Sequence, residues 1–318
     1  MRIVVGDIGG THARFAIAEI DGGGRPQIGP MKRYRTRDYP GLAAAWVRFE
    51  AESGAPLPKH AALAIAAPIE GEILRFMNSD WRIERRTLGA DLGLDRLLLL
   101  NDFGAVAHAV SILGPDELVS VHGPDALPDE GAVSVLGPGT GLGVAILLRR
   151  GGKTEVIETE GAHIGFAPLD PEEESLADAI AAKYGRASIE RIISGPGLID
   201  IYEHLGAATA IDADHAGDLW SAAIEGTDAL AVHALDILVR CFGAAAGDLS
   251  LAHGAMGVVV TGGLANRIGH LLKTPMFASR FTAKGRYRER MQRVPVMLAT
   301  CPEPGLLGAA VAFQRDFG

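Results

Sequence analysis

The chain has 318 residues, of which 48 % are hydrophobic and only 6 % aromatic, and it contains 41 glycines. That length predicts two domains or one large α/β unit, and the composition favours an α/β protein with many tight turns over a β-sandwich or a disordered chain. The formal charge of −9 and the pI of about 5.6 argue against a general nucleic-acid-binding protein, since a phosphate backbone would repel it.

Cysteine usage and hydropathy indicate a cytoplasmic protein. Cys241 and Cys301 lie in apolar surroundings without the paired spacing of a zinc site or a disulfide framework, so we expect two reduced core thiols. The N-terminus lacks the apolar segment of a signal peptide, and no apolar run approaches the roughly 20 residues of a membrane span. The basic segment 284–293 is interpreted as a solvated helix or loop.

The first predicted elements form a hairpin around a glycine-rich turn. Strands at 2–5 and 13–20 enclose Gly9, Gly10 and Thr11, with Asp7 at the end of the first strand. Two glycines and a threonine let backbone N–H groups approach an anion, whereas Asp7 would repel the anion unless a cation came between them. The turn therefore indicates a metal-bound phosphate, with Mg²⁺ as the candidate cation beside Asp7.

Further along the chain, a buried strand runs directly into polar residues. The pattern predicts a helix at 41–53, strands at 61–66 and 72–77, and a strand at 96–100 followed by Asn101, Asp102 and a helix. Asn101 and Asp102 either cap that helix or project from the carboxyl end of the strand, where open α/β sheets bind ligands. In the second case Asp102 suits a general base for a substrate hydroxyl.

A connection rich in proline, glycine and acidic residues is predicted at 114–131, and a second unit then begins. Strands at 132–136 and 144–148 enclose GPGTGLG, whose Gly139, Thr140 and Gly141 repeat the first hairpin and predict a second phosphate cradle and a duplication. The turn matches neither a dinucleotide fingerprint nor a P-loop. The remaining predicted elements are helices at 172–184, 197–205, 227–253 and 305–314 and strands at 257–260 and 294–298.

Two further segments carry candidate ligand-binding groups. TGGLANRI places Gly262 and Gly263 between a strand and a helix, where an anion or a polar nucleotide group is favoured, although close helix–strand packing would explain the same glycines. ETEGAHIGFAP supplies Glu158, Glu160 and His163, a set that suits a polyol better than zinc because a third metal ligand is not evident. Glu190 in SIERIISGPGL is by default a surface glutamate and gains interest only beside those acids.

Taken together, the motifs resemble those of the bacterial glucokinase family. GDIGGTHAR, LNDF, GPGTGLGV, ETEGAHIGFAP, SIERIISGPG, VVTGGLANR and PGLLGAA occur in the family's order and approximate spacing over residues 6–310. The resemblance implies an α/β, actin-like ATPase (ribonuclease H-like) fold, with a small domain at 1–112 plus 303–318 and a large domain at 113–302 that close over nucleotide and sugar in a cleft. It also implies ATP-dependent phosphorylation of glucose at its 6-hydroxyl, with Mg²⁺, as a step of glycolysis, and a plausible homodimer.

The resemblance also assigns roles to residues. It implies that Asp102 is the catalytic base and that Asp7 contributes indirectly to Mg²⁺ binding. The implied sugar-binding residues are Asn101, Asp102, Glu160, His163 and Glu190. The implied nucleotide-binding residues are Asp7, Gly9, Gly10, Thr11, Gly139, Thr140, Gly141, Gly262 and Gly263. Two departures lie beside these sites: His12 stands where relatives commonly have Asn, and Gly165 where an acidic residue is common. The alternatives are a kinase of another hexose (mannose, fructose or an N-acetylhexosamine) and a non-catalytic sugar sensor.

Overall fold

The protein is described here by a computed structural model, which covers residues 1–67, 69, 71–76, 80–206 and 216–318. The chain forms two compact units: unit 1 comprises residues 1–113 and 301–318, and unit 2 comprises residues 114–300. The strands are β1 (Arg2–Ile8), β2 (His12–Glu19), β3 (Gln27–Ile28), β4 (Lys32–Arg35), β5 (His60–Ile65), β6 (Ile73–Arg75), β7 (Arg82–Glu84), β8 (Arg96–Asn101), β9 (Leu118–His122), β10 (Gly131–Pro138), β11 (Leu142–Arg150), β12 (Lys153–Thr159), β13 (Gly257–Val260) and β14 (Val296–Ala299). The helices are α1 (Leu42–Ser53), α2 (Leu88–Asp91), α3 (Asp102–Val110), α4 (Pro171–Tyr184), α5 (Ile189–Ile192), α6 (Gly195–His204), α7 (Ala216–Glu225), α8 (Ala229–Ala252), α9 (Gly263–Arg267), α10 (Gly269–Leu272), α11 (Pro275–Thr282), α12 (Arg288–Gln292) and α13 (Pro304–Phe317).

Unit 1 is built on a mixed sheet with the order β3-β2-β1-β5-β8, in which β4 also pairs with β2. β1 and β2 form an antiparallel hairpin, whereas β1, β5 and β8 are parallel. The register aligns Ile8 with Ile65 and Ile65 with Asn101. The carboxyl ends of the three parallel strands therefore meet at one edge of the sheet, which is where the β1–β2 turn and Asp102 emerge.

Hydrophobic layers cover both faces of this sheet. On one face Phe15 packs in a T-shaped arrangement against Trp46 of α1, with ring centroids 5.7 Å apart. On the other face Val5 packs with Leu306 and Phe313 of α13, which returns to unit 1 from the end of the chain. Burial of large side chains on both faces holds the strand ends, and the residues they carry, in fixed positions.

Unit 2 repeats the arrangement, as the suspected duplication predicts. Its sheet has the order β12-β11-β10-β13-β14-β9, with an antiparallel meander of β12, β11 and β10 followed by the parallel strands β13 and β14. Leu136 is aligned with Val260, and Val260 with Leu298. The β10–β11 turn and the turn after β13 therefore emerge from the same edge of this sheet.

Helix α8 corrects the expectation that no apolar run is long enough to span a membrane. By length and composition α8 passes that test, with a mean hydropathy of 1.6 in its most apolar window, but 67 % of that window is buried inside the protein. Its buried residues include Leu238, Phe242 and Leu249, which lie in the main hydrophobic cluster of unit 2. The apolar length reflects a core helix that is surrounded by protein.

The predicted connection at 114–131 is also corrected, because it contains β9, which pairs with β14.

Strand β12 and helices α7 and α11 were not predicted from the sequence. Strand β12 lies at a sheet edge and alternates exposed and half-buried residues, so its hydrophobic pattern is weak. The predicted strand at 72–77 is observed as β6, while residue 77 lies outside the described part of the chain. Cys241 and Cys301 are buried and form no disulfide, as expected, and burial raises the pKa of the Cys241 thiol.

Candidate active site

The candidate site residues divide between the two units. Unit 1 carries the β1–β2 turn (Gly9–Thr11, hereafter hairpin 1), Asp7, Asn101 and Asp102. Unit 2 carries the β10–β11 turn (Gly139–Gly141, hereafter hairpin 2), the Gly262–Gly263 turn, Glu160, His163 and Glu190.

Hairpin 1 is held by a residue that the sequence analysis missed. The Gly9 N–H donates to the His12 carbonyl at 2.9 Å, and the Thr36 N–H donates to the Thr11 carbonyl at 3.0 Å. The buried Thr36 hydroxyl also donates to the Gly10 carbonyl at 2.6 Å. Because the carbonyls of Gly10 and Thr11 both accept hydrogen bonds from Thr36, the backbone of these two residues has a fixed orientation. No local motif marks Thr36, because the contact depends on the pairing of β4 with β2.

The resemblance assigns hairpin 1 to the nucleotide, so replacing Thr36 with valine should weaken nucleotide binding while leaving the fold intact. Valine keeps the shape but loses the hydroxyl, which costs a net hydrogen bond of about 0.5–1.5 kcal/mol and loosens hairpin 1. We expect KM for ATP to rise roughly two- to tenfold, and kinetics at saturating glucose would measure it. Thr36→Ser, which retains the hydroxyl, is the matched control; an unchanged KM in Thr36→Val would contradict the role.

A cationic pocket of about 380 Å³ adjoins hairpin 1 and is lined by Gly10, Thr11, His12, Arg35, Thr36 and Arg37. The Nδ1 atom of His12 lies 3.3 Å from Nη2 of Arg33. Burial, followed by the neighbouring arginines Arg33, Arg14 and Arg35, lowers the pKa of His12. His12 is therefore held neutral near pH 7, and the positive charge of the pocket comes from arginine, which suits a phosphate-bearing ligand.

Asp7 already has a cationic partner in unit 1. Nη1 of Arg14 donates to Oδ2 of Asp7 at 2.7 Å, and Nε of Arg14 lies 3.6 Å from the Glu303 carboxylate. Arg14 is a second residue that the sequence analysis missed, although it belongs to the quoted motif GDIGGTHAR. The pair fixes the Asp7 carboxylate at the end of β1, beside hairpin 1.

The residues suit Mg²⁺ bound mainly by phosphate. Among the described residues no group of three His, Cys, Asp or Glu side chains is placed to hold a metal ion. Mg²⁺ is commonly held by one carboxylate together with water and substrate phosphates. Asp7 is a single carboxylate fixed beside hairpin 1, which fits that pattern.

Asn101 and Asp102 occupy different positions at the start of α3. Asn101 is the N-cap: its Oδ1 accepts from the Phe103 and Gly104 N–H groups at 2.8 and 3.1 Å. Asp102 is the first helical residue, is half-buried, and accepts from the Phe103 N–H through Oδ1 at 2.8 Å. With the cap supplied by Asn101, the helix does not depend on Asp102 for its start, and a carboxylate there is stabilised by the helix N-terminus.

In unit 2, hairpin 2 and the glycine turn after β13 lie side by side. The Gly139 N–H donates to the Gly141 carbonyl at 2.7 Å, closing the turn. Gly262 has a φ of 98°, which favours glycine, and a Cβ there would lie 3.5 Å from the Pro138 carbonyl. Nδ2 of Asn266 donates to the Gly262 and Ala299 carbonyls, tying this turn to the end of β14.

The structure brings together Glu160, His163 and Glu190. Nε2 of His163 lies 3.5 Å from Glu160 Oε2, and Nδ1 of His163 lies 3.8 Å from Glu190 Oε1. The segments around them are paired: the Ile189 N–H donates to the Ile164 carbonyl, and Gly165 bridges to Ser188. Two carboxylates flanking an imidazole offer acceptors and a donor to a polyol. Glu158, in contrast, lies within β12 opposite Ala145.

Comparisons with known proteins match the chain over nearly its whole length. The glucokinase family model matches residues 4–316. A glucokinase from Zymomonas mobilis subsp. mobilis (strain ATCC 31821 / ZM4 / CP4) is 48 % identical over 320 residues, covering 100 % of this chain and 99 % of that protein.

Solved structures confirm the predicted fold. A glucokinase from an Antarctic psychrotroph has a TM-score of 0.82 at 29 % identity, covering 99 % of both chains. A glucokinase from Balamuthia mandrillaris, solved in complex with glucose, has a TM-score of 0.80 at 21 % identity, covering 99 % of this chain and 93 % of that chain. The α/β fold of the actin-like ATPases is thereby confirmed, and the full-length matches in sequence establish that the chain is a member of the glucokinase family.

Proposed function

We propose that this protein transfers the γ-phosphoryl group of ATP to the 6-hydroxyl of D-glucose, with Asp102 as the general base. Membership of the glucokinase family supports the class of reaction, and the roles of the individual residues are part of our proposal. We further propose that it acts in the cytoplasm, with Mg²⁺, as an entry step of glycolysis.

The observation that carries the mechanism is the common strand edge in unit 1. Ile8, next to hairpin 1, and Asn101, next to Asp102, are aligned across β5, so they lie two strand spacings apart, or roughly 10 Å. Hairpin 1 and the Asp102 carboxylate therefore lie at one edge of the same sheet, which supports a joint role in phosphoryl transfer. Phosphoryl transfer needs little more from a protein than positioning, charge stabilisation and a base.

The protein groups have distinct tasks in this proposal. Asp102 accepts the proton of the attacking 6-hydroxyl. The N–H groups of Gly9 and Gly139 close the two turns, and the other backbone N–H groups of hairpins 1 and 2 bind phosphate oxygens. Bound Mg²⁺ would be held near Asp7 and would neutralise charge on the phosphates. Arg14 keeps the Asp7 carboxylate oriented.

Sugar binding is assigned to Asn101, Asp102 and the cluster of Glu160, His163 and Glu190. The two glutamates accept hydrogen bonds from sugar hydroxyls, while His163, which lies between them, donates or accepts according to its tautomer. A site that hydrogen-bonds each hydroxyl rejects an analogue lacking one, because buried polar groups are then left unpaired.

A sugar panel tests the proposal. ADP release would be measured with ATP and magnesium in the presence of glucose, mannose, fructose, N-acetylglucosamine or no sugar. We expect glucose to give the highest kcat/KM. Strong preference for another sugar would reassign the enzyme as a different hexose kinase, and sugar binding without turnover would replace the proposal with a sugar sensor.

A further inference from the structure

Glu190 contacts both the sugar-side cluster and hairpin 2. Its Oε2 accepts the Leu142 N–H at 3.1 Å, at the point where hairpin 2 enters β11. Its other oxygen, Oε1, lies 3.8 Å from Nδ1 of His163. One carboxylate therefore bridges the residues assigned to the sugar and the turn assigned to the nucleotide phosphates.

The close approach of Glu190 explains the glycine at the last position of hairpin 2. A Cβ at position 141 would lie 2.5 Å from Glu190 Oε2, well inside contact distance. Any larger residue at position 141 would push the carboxylate away from the Leu142 N–H. Gly141 thus serves the contact with Glu190 as well as the approach of a ligand.

The segment that carries Glu190 makes a second bond to the same turn. The Gly195 N–H donates to the Gly139 carbonyl at 2.7 Å. Hairpin 2 is therefore held at both of its ends by residues 190–195, so a displacement of that segment would also displace the phosphate cradle.

We propose that Glu190 is a positioning residue that couples sugar binding to the phosphate-binding shape of hairpin 2. The inference rests on the proposed function, which gives Glu190 a sugar hydroxyl. When the sugar binds to one oxygen, the carboxylate is immobilised and its other oxygen fixes the Leu142 N–H. Hairpin 2 is then ordered before the nucleotide arrives, and the nucleotide loses less conformational entropy on binding.

The first expected result is a reciprocal effect of the two substrates. In the wild-type protein, saturating glucose should tighten binding of the non-hydrolysable analogue AMPPNP with magnesium by about fivefold or more, a usual size for coupling between sites. Isothermal titration calorimetry with and without glucose measures this factor, and the analogue must tighten glucose binding equally. A factor of one in the wild-type protein would overturn the inference.

Variants of Glu190 separate the hydrogen bond from the charge. Without glucose, Glu190→Ala should weaken AMPPNP binding roughly three- to tenfold, because the Leu142 N–H loses its acceptor. Glu190→Gln keeps an oxygen acceptor but no charge, so its affinity for AMPPNP should be at least that of the wild type. A purely electrostatic role predicts tighter binding in both variants, and that outcome would overturn the proposal.

Glu160→Ala is the matched control. Glu160 contacts the same histidine and is assigned to the same sugar, but no hydrogen bond joins it to hairpin 2 among the described contacts. We expect weaker glucose binding in Glu160→Ala, with AMPPNP affinity within about twofold of the wild type. An equal loss of AMPPNP affinity in Glu160→Ala would show that Glu190 has no specific role.

Hydrogen exchange at the Leu142 amide gives a readout that needs neither ligand nor turnover. Exchange should accelerate roughly tenfold in Glu190→Ala and return close to the wild-type rate in Glu190→Gln. Unchanged exchange in Glu190→Ala would contradict the proposed contact. Failure of the proposed function would give a different result, because the wild-type protein would then show no glucose-dependent turnover.

Discussion

Replacing Asp102 with asparagine should lower kcat for glucose phosphorylation by about 10²- to 10⁴-fold, the usual contribution of a positioned general base. Asparagine has nearly the same shape, and its carbonyl oxygen can still accept the Phe103 N–H that Asp102 Oδ1 accepts at 2.8 Å. What it cannot do is take the proton of the 6-hydroxyl. The loss should therefore fall on kcat, with the dissociation constant for glucose changed much less.

Steady-state kinetics would measure the loss in kcat, and glucose titration would measure the change in the dissociation constant for glucose. The melting temperature should stay close to the wild-type value, because Asn101 supplies the N-cap of α3. Asp91→Asn is the matched control, as it removes an exposed carboxylate at the end of helix α2 of the same unit. Wild-type kcat in Asp102→Asn would exclude Asp102 as the base, and a comparable loss in Asp91→Asn would attribute the effect to net charge.

Local patterns predict the parts of the site that lie within a single turn. The glycines of hairpins 1 and 2 and the turn at Gly262 follow buried strands directly, and each strand–turn boundary is encoded by adjacent residues. Asn101 is the last residue of the half-buried strand β8, and Asp102 is the first residue of α3. The sequence alone left open whether they cap the helix or serve the chemistry; the structure assigns the cap to Asn101.

Contacts between distant segments are not predictable in this way. Thr36 reaches Gly10 only because β4 pairs with β2, and Glu190 reaches Leu142 only because residues 187–189 pair with residues 164–166. Neither threonine nor glutamate carries a local signal of such pairing. From the sequence alone, Glu190 is predicted to be a surface residue. Its contact with Leu142 depends on how distant segments pair, which only the fold determines.

Strand β9 shows a second reason for failure. Its sequence, Leu118–His122, lies in a stretch rich in proline, glycine and acidic residues, and all five of its residues are only half-buried. The composition predicts a connection, whereas the backbone pairs with β14 at the edge of the sheet. Tertiary pairing thus overrides the local preference, as is common for edge strands.

Replacing Gly308 with alanine should cause the largest loss of stability among the predicted variants. Gly308 lies in α13, where a Cβ would be 1.6 Å from the Ala105 carbonyl oxygen of α3. An overlap with backbone cannot be relieved by a side-chain rotation, so the two helices must separate. We expect a loss of about 3 kcal/mol or more, at the upper end of overpacking effects, and a melting temperature lower by roughly 6–12 °C.

The functional consequence follows from what α3 carries. Asp102 is the first residue of α3, and α3 and α13 pack on the sheet whose edge presents hairpin 1. Separation of the helices should shift Asp102 relative to hairpin 1, so under the proposed mechanism kcat should fall even at temperatures where the variant remains folded. Gly89→Ala in α2 of the same unit is the control, because its Cβ would meet only Leu97 Cβ at 3.9 Å, an ordinary contact. Thermal unfolding of both variants would measure the difference. Equal stability of Gly308→Ala and Gly89→Ala would contradict the close crossing of α3 and α13. A loss of stability only in Gly308→Ala would show that the position of Asp102 depends on this single backbone contact.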